Sequence, residues 1–400
     1  MYDSGFKYDG LAYITDEAAR QLKNVEVKRG DVLLNITGDS IGRCVIVPDD
    51  VLPARVNQHV VILRPNAYLH SQFLFAYLSM PAVKSDLLNY DSGGTRKAFT
   101  KAMLDNYEIE APSYEKQKII GDFLFLFNRK IESNRRMNQT LEQMAQTLFQ
   151  QWFVAFKFPA EHNVYTEEKI DKNLAHKLLG GGVKSNKIYD LFNNFTDESE
   201  EFCPQPLSEL IDFDPKTPVR KNTQTRFLPM TELPTQGFAI GTLGARPYSG
   251  GAKFRQGDTL LARITPCLEN GKTGFVDFLE EGETAAGSTE FIVMRGKGNV
   301  PSEFVYCLAR SAEFRTYAIA QMVGSSGRQR VAAQALASYV FPTPNPQTLI
   351  AFGEAVQPVF ARISANNNQS RTLATLRDTL LPQLLSGRLT VRRAEELVAS

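Results

Sequence analysis

Two short loops carry the residue types best suited to recognition chemistry: Ser92-Gly93-Gly94-Thr95-Arg96-Lys97 and Gly324-Ser325-Ser326-Gly327-Arg328-Gln329-Arg330. In each, small residues that let a backbone approach a phosphate precede basic and amide side chains. Arg and Gln offer the forked donors and acceptors that read guanine and adenine edges in a major groove. Gly plus Arg in one loop is also ordinary turn chemistry, so the weight rests on the recurrence. On this reading Lys97, Lys253 and Arg255 position phosphates, and Arg96, Arg328, Gln329 and Arg330 read bases. A second candidate face is the run from Asn35 to Arg43, containing Thr37, Ser40 and Arg43, together with Asn57-Gln58-His59. Its counterpart lies around Arg263 and Thr265, and hairpin-turn chemistry is the alternative for both.

Catalytic constellations are sought and not found. Pro266-Cys267-Leu268-Glu269-Asn270-Gly271-Lys272-Thr273 matches the end of a phosphate-binding loop but has Pro where the first Gly is needed. It reads instead as a hairpin turn with a solvated Lys272. No GxGxxG follows a strand, no GxSxG elbow occurs, and His59, His70, His162 and His176 form no HExxH or paired spacing. The Asp/Asn-Pro-Pro-aromatic tetrapeptide of amino-methyltransferases is absent, so the chain is not expected to methylate bases itself. Glu280-Glu281 and Asp49-Asp50 sit in turn contexts and read as solvated faces.

Composition narrows the partners. The 400 residues are 43% hydrophobic and 22% charged, enough for two or three domains with real cores. With 45 Lys plus Arg against 44 Asp plus Glu, the net charge is +1, so any nucleic-acid face is local rather than a property of the whole surface. Cys44, Cys203, Cys267 and Cys307 are scattered singly, which argues against a zinc ribbon, a redox pair or a secreted disulfide framework and points to a reducing cytoplasm. No apolar run reaches the ~20 residues of a membrane helix, nor do residues 1–30 hold a signal-like apolar stretch.

The elements that must position these loops repeat. Residues 94–112 lie over 326–344 at a constant offset of 232, matching Arg96, Leu104, Tyr107 and Pro112 with Arg328, Leu336, Tyr339 and Pro344. Gly30-Asp31-Val32-Leu33-Leu34 similarly resembles Gly257-Asp258-Thr259-Leu260-Leu261. Strands are expected over VEV, DVLLNI, RCVIV and HVVIL in the first copy, and over TLLARI, GKTGFV and STEFIVM in the second. Helices are expected over 71–88 and 302–320.

Downstream, two helical stretches share a heptad frame. Ile120, Leu124, Phe127, Ile131, Asn134, Asn138, Leu141, Ala145, Leu148 and Trp152 form one seam. Phe352, Val356, Val359, Ile363, Asn366, Ser370, Leu373, Arg377, Leu380 and Leu384 form the other. Both are apolar at the ends and polar in the middle, as a pair of coiled-coil partners would be. A helix from about residue 114 to 156 would measure on the order of 60 Å, long enough for a spacer. The expected fold class is α+β: two mixed α/β domains in pseudo-repeat, separated by two long antiparallel helices forming a coiled coil. The expected segments are 1–112, a central helix 113–158, a linker 159–204, a second domain 205–344 and a distal helix 345–390. The second copy has a lead-in, Gln205 to Arg226, with no counterpart in the first, so the chain is expected to begin mid-domain, through a lost start or a shortened first unit. Two unequal domains held apart in this way predict a reader of two short half-sites with an unread spacer between them.

Several segments carry a resemblance: Gly30 to Arg43 followed by Val56-Asn57-Gln58-His59-Val60, and Glu115-Lys116-Gln117-Lys118-Ile119-Ile120. Leu148-Phe149-Gln150-Gln151-Trp152-Phe153 and Leu384-Leu385-Ser386-Gly387-Arg388-Leu389 complete it. Together they resemble the specificity subunits of Type I restriction-modification systems over nearly the whole chain. The resemblance implies a non-catalytic, DNA-binding subunit of the cytoplasm with two target-recognition domains, each specifying half of a bipartite site in double-stranded DNA. It implies helices onto which two adenine-methylating modification subunits dock, joined where present by restriction/translocase subunits. No cofactor is expected on this chain; S-adenosylmethionine, ATP and Mg belong to the partners. The family's Gly, Thr and Arg loop maps onto Gly94, Thr95 and Arg96, and less closely onto Gly327 and Arg328. The short start departs from the family pattern and bears on reading of the first half-site. Two other readings stand beside this one: an assembly scaffold, or single-half-site binder, whose shortened first domain reads nothing, and a stand-alone enzyme with an unrecognised site.

Overall fold

The computed structural model describes residues 5, 6, 8, 10–89, 98–155, 203–325 and 327–399, with no account of the side chains at 39, 203, 398 and 399. It divides into two compact units, one of residues 1–135 and 368–400, the other of residues 136–367.

The first unit begins with α1 (Asp16–Gln21), β1 (Glu26–Val27), β2 (Val32–Asn35), β3 (Cys44–Ile46), β4 (Ala54–Arg55) and β5 (Val60–Leu63). Helices α2 (Ser71–Ser79), α3 (Pro81–Asn89), α4 (Lys101–Asp105) and α5 (Tyr114–Phe149) follow; α5 is shared between the units, and a π-helical turn continues it through Val154. The sheet order is β3-β2-β5, all antiparallel, with β1 and β4 paired separately. The expected strands VEV, DVLLNI, RCVIV and HVVIL are thus found. The helix expected over 71–88 is two helices, because Pro81 supplies no backbone N–H and the chain turns extended at Met80.

The second unit holds β6 (Cys203–Pro206), β7 (Ile211–Phe213), β8 (Gln224–Leu228), β9 (Gly244–Pro247), β10 (Ala252–Arg255) and β11 (Thr259–Ala262). Then come β12 (Thr273–Phe275), β13 (Thr284–Gly287), β14 (Phe291–Gly296), α6 (Ser302–Arg310), α7 (Ala312–Ala320), α8 (Ala333–Ala337) and β15 (Val340–Thr343). Helix α9 (Pro346–Leu385) is again shared between the units, and α10 (Val391–Ala399) belongs to the first. One sheet runs β12-β11-β14-β7, another β10-β13-β8-β9. The helix expected over 302–320 is likewise two, broken at extended Ser311, whose hydroxyl caps α7 by accepting from the Phe314 N–H.

The recurring Gly-Asp motif is architectural. Gly30 and Gly257 sit at φ of +83° and +82°, a backbone conformation that favours glycine. Each following aspartate is 1% exposed and accepts from the backbone N–H three residues back, Lys28 at 2.7 Å and Arg255 at 2.8 Å. Each is then forked by an arginine just past β5 or within β14, the strands that pair beside β2 and β11. Arg64 reaches the two Asp31 oxygens at 2.8 and 2.7 Å, and Arg295 reaches those of Asp258 at 2.7 and 2.7 Å. One carboxylate so ties the turn to the strand beside the central one, β5 in the first unit and β14 in the second.

A second recurrence is a glycine on each long helix. A Cβ on Gly121 would fall 2.6 Å from the backbone nitrogen of Phe73, and one on Gly353 would fall 2.6 Å from the Pro301 ring. These glycines let the long helices approach the start of α2 and of α6.

Within the first unit α5 and α9 pair antiparallel: Asn128 accepts from Arg377 at 2.8 Å, and Asn134 donates to Gln369 and Ser370 at 2.9 and 3.2 Å. Within the second unit Asn138 donates to Asn367 at 2.7 Å and accepts from Asn366 at 2.8 Å. Apolar seam residues flank these amides: Ile120, Leu124, Phe127, Leu380 and Leu384 in one core, and Leu141, Ala145, Trp152, Phe352, Val356, Val359 and Ile363 in the other.

The turn at Pro266–Lys272 corrects one expectation. Lys272 is not solvated; it is half-buried, and its ammonium donates to the Met230 carbonyl at 2.7 Å. Arg310 secures the same turn, donating to the carbonyls of Thr235, Gly237, Gly271 and Thr273. Its Nε meets the buried Tyr306 hydroxyl, which donates to Glu142. The Glu142 carboxyl is pushed up by burial, with Arg310 and Tyr306 pulling the other way.

Asp258→Asn is expected to cost about 3 kcal/mol, because it leaves Arg295, 14% exposed, without its charge partner. Asp31→Asn should cost clearly less, since Arg64 is 46% exposed and water can replace the carboxylate. Urea denaturation of the two variants, followed by circular dichroism, checks the order. Gly121→Ala, which drives a methyl into backbone, is expected to destabilise by about 1–3 kcal/mol in the same measurement.

Candidate nucleic-acid interface

Each sheet hands its central strand on to a loop framed in the same way. In the second unit β11 continues as Arg263-Ile264-Thr265, and the segment Gln329–Val331 is bonded along it. The Arg263 N–H donates to the Glu290 carbonyl (2.9 Å) and its carbonyl accepts from Val331 (2.9 Å). Thr265 donates its N–H to the Gln329 carbonyl (3.0 Å), and its hydroxyl accepts from the Gln329 N–H (3.1 Å). Val323 and Arg330 exchange both backbone bonds, at 3.0 and 2.9 Å, which closes the loop upon itself. Gly324 and Gly327, at φ +128° and +78°, make its bends, and Arg328 stands at the exposed tip with its N–H on the Ser325 carbonyl.

In the first unit Ile36 donates to the His59 carbonyl (2.9 Å) and accepts from Phe99 (3.0 Å), and Thr37 bridges to Ala98. The frame is the same, and the segment it brackets is 90–97. Gly94, Thr95, Arg96 and Lys97 lie outside the described residues.

The second candidate face proves to be one cluster. Asn35 donates to the Thr37 carbonyl (3.0 Å) and the Ser40 hydroxyl (2.6 Å), while the Thr37 hydroxyl is 2.8 Å from His59 Nδ1. Arg43 is half-buried, with its backbone on Asn35 and Ser40. Thr37, Ser40, His59 and Ala98 are therefore brought together.

In the second unit Arg330 forks onto Glu290 at 2.8–3.0 Å, and its Nη1 reaches the Arg328 carbonyl at 3.3 Å. Of the described residues assigned to base reading, Arg328 is exposed, Gln329 is half-buried, and Arg330 is held sideways by a carboxylate. Arg263 is half-buried; burial pushes the nearby Asp214 carboxyl up, against the opposing Val293 N–H and the Arg263 charge. Lys253 and Arg255 are not part of this cluster: they lie on β10, and Arg255 borders the Gly257-Asp258 turn at the opposite end of β11 from Arg263. Glu290 itself was missed. Its one sequence signal is its place just before β14, where the first copy carries His59 just before β5.

Residues 1–143 match the family model described as the Type I restriction modification DNA specificity domain. The chain is 25% identical over 390 residues to the Type I restriction enzyme MjaIX specificity subunit of Methanocaldococcus jannaschii, covering 97% of this chain and 83% of the relative. It is 22% identical to the HindI specificity subunit of Haemophilus influenzae, covering 90% and 87%. Among solved structures, the S subunit of a Type-I restriction-modification system from M. genitalium aligns over 89% of this chain and 83% of that one, at 14% identity and a TM-score of 0.45. The chain is thus similar, over its matched domain and along nearly its whole length, to Type I restriction enzyme specificity subunits. Among the described residues no helix is long and apolar enough to cross a membrane, and no group of three or more His, Cys, Asp or Glu is arranged to hold a metal ion.

The hydrogen bonds from Arg330 hold the Glu290 carboxyl below its ordinary range, against a smaller opposing push from partial burial. A carboxyl lowered on folding stabilises above its unfolded pKa, and that contribution is lost as pH falls through the lowered value. Protection of the Val323 and Arg330 amides against hydrogen exchange is therefore expected to persist through the ordinary carboxylate range and to collapse only below it. In Glu290→Gln that protection should be weaker and should no longer follow this titration.

Proposed function

We propose that this chain is the sequence-reading subunit of a Type I restriction-modification complex, with one target-recognition domain per half-site of a bipartite duplex target. The observation that carries the reading is the recurrence of one loop frame, Ile36/His59/Phe99 in one unit and Arg263/Glu290/Val331 in the other, around loops rich in Gly and Arg. Two similar but unequal frames suit two different short words. The shared helices α5 and α9 would set the unread spacer and dock two modification subunits, which supply the methylation chemistry. Arg96 and Arg328 are the leading base readers, with Arg330 and Gln329 beside the second. Lys97, Lys253 and Arg255 would meet phosphates, and Thr37, Ser40, Arg43 and Arg263 would support the loops.

The test is selection of bound duplexes from a randomised pool, with the chain co-expressed with its modification subunit at stated salt. Two enriched words at fixed separation support the bipartite reading; one word means a single-half-site binder, and none favours an assembly scaffold. Arg328→Ala is expected to cost about 1–3 kcal/mol at the cognate site and to relax one base position, as loss of a forked guanine contact would. With a net charge of +1, the chain alone should bind duplex weakly and gain affinity when modification subunits add their surface, which titration with and without them measures.

A further inference from the structure

The second loop carries a charge pair that its frame does not need. In both units the frame is the same: Ile36 donates to the His59 carbonyl and accepts from Phe99, as Arg263 donates to the Glu290 carbonyl and accepts from Val331. Thr37 bridges to Ala98 where Ile264 bridges to Arg330. Glu290 thus stands where the first unit has His59, and Arg330 where it has Ala98. The first unit has neither half of the pair at these positions, and its frame is bonded all the same. An architectural role alone does not account for Glu290 and Arg330.

The pair leaves one edge of the guanidinium available. Arg330 Nε lies 3.0 and 2.9 Å from the two Glu290 oxygens, and Nη2 lies 2.8 Å from Oε1. Both carboxylate oxygens are engaged by the side of the guanidinium, which makes Glu290 a holder and not a reader. Nη1 reaches the Arg328 carbonyl at 3.3 Å. These contacts take one N–H from each guanidinium nitrogen, so each terminal nitrogen keeps one with no acceptor among the described residues. Terminal N–H groups are what an arginine forks onto O6 and N7 of guanine in a major groove.

The same arginine is held at its backbone, which exchanges both hydrogen bonds with Val323. Its side chain is nonetheless 44% exposed, against 24% for Glu290, so it is the more accessible member of the pair. A long side chain ordered before binding gives up less freedom when it docks than a free one does. It also cannot swing away from a wrong base without breaking its bonds to the carboxylate.

We propose that Glu290 is a specificity-determining positioning residue, which fixes Arg330 so that this arginine reads one guanine of the target. The proposal rests on the DNA-reading function above and names the base and the residue pair at that site. Arg328, at the tip, makes a separate contact.

The test is selection of bound duplexes by the chain with its modification subunit, run in parallel for the unmodified chain, Glu290→Gln and Arg330→Ala. Glu290→Gln keeps the side-chain shape but sets an NH2 group against the Arg330 donors. One enriched word is expected to contain a guanine whose preference falls about tenfold in either variant, while the other word is unchanged. The double variant should lose no more than Arg330→Ala alone, because the two residues act as one unit. Replacing that guanine by 7-deazaguanine, which lacks the N7 acceptor, should weaken the unmodified chain about tenfold and leave Arg330→Ala unaffected. Affinity of Glu290→Gln for an unrelated duplex should not fall, since a negative charge beside a polyanion has been removed. A merely structural role would lower that affinity together with both words. The proposal is overturned if Glu290→Gln keeps every guanine preference, if both words weaken together, or if 7-deazaguanine has no effect. Those results leave the DNA-reading function standing; if the unmodified chain enriches no word, that function falls and the proposal with it.

Discussion

A buried carboxylate tied to an arginine across a sheet is the constraint on which the rest depends. Asp31 and Asp258 lie at the mouth of a turn that needs a glycine in the left-handed region, and each is forked by an arginine on or just past the strand paired beside the central one. A charge so placed is costly to bury alone, so turn, central strand and its neighbour must assemble together for it to be satisfied. The central strand then emerges in fixed register at its other end, where it becomes the rail, Ile36-Thr37 or Arg263-Thr265, along which the candidate loop is bonded. Loop placement is thus decided at the far end of the strand from the loop itself.

The loops differ in what stands beside them. Thr37 faces His59 in one unit; Arg330 faces Glu290 in the other. A hydroxyl beside an imidazole offers donor and acceptor atoms, whereas the carboxylate turns Arg330 sideways and leaves Arg328 at the exposed tip. Similar frames therefore present different chemistry.

Much of this was legible in the residues. β-branched runs gave β2, β3, β5 and β11 within a residue or two and β14 within three, and the offset of 232 also relates the starts of α4 and α8, helices that the sequence reading did not expect. The heptad seams anticipated which faces of α5 and α9 are buried. The sheet β10-β13-β8-β9 was not anticipated, because its edge strand Gly244–Pro247 is exposed and Gly- and Pro-bearing, and so lacks the apolar alternation that marks a strand. The breaks at Met80 and Ser311 were passed over because apolar spacing continues across them. The Lys272 bond to the Met230 carbonyl and the Arg330 fork onto Glu290 depend on residues about forty positions away, which periodicity does not report.

The polar centre of the helix pair has its own logic. Leucine or isoleucine at Asn134, Asn138 and Asn366 would bury more apolar surface and would tolerate sliding, since one apolar layer resembles the next. The amides instead satisfy one another: Asn134 with Gln369 and Ser370, and Asn138 with Asn366 and Asn367. A shift of α9 by one heptad would oppose these amides to Ile131 or Leu141, and each buried amide left unpaired costs about 1–3 kcal/mol. Several such penalties together exceed what slipped apolar layers could recover. The seam thereby gives up some stability for a single axial register, the property that any element setting a fixed distance must have.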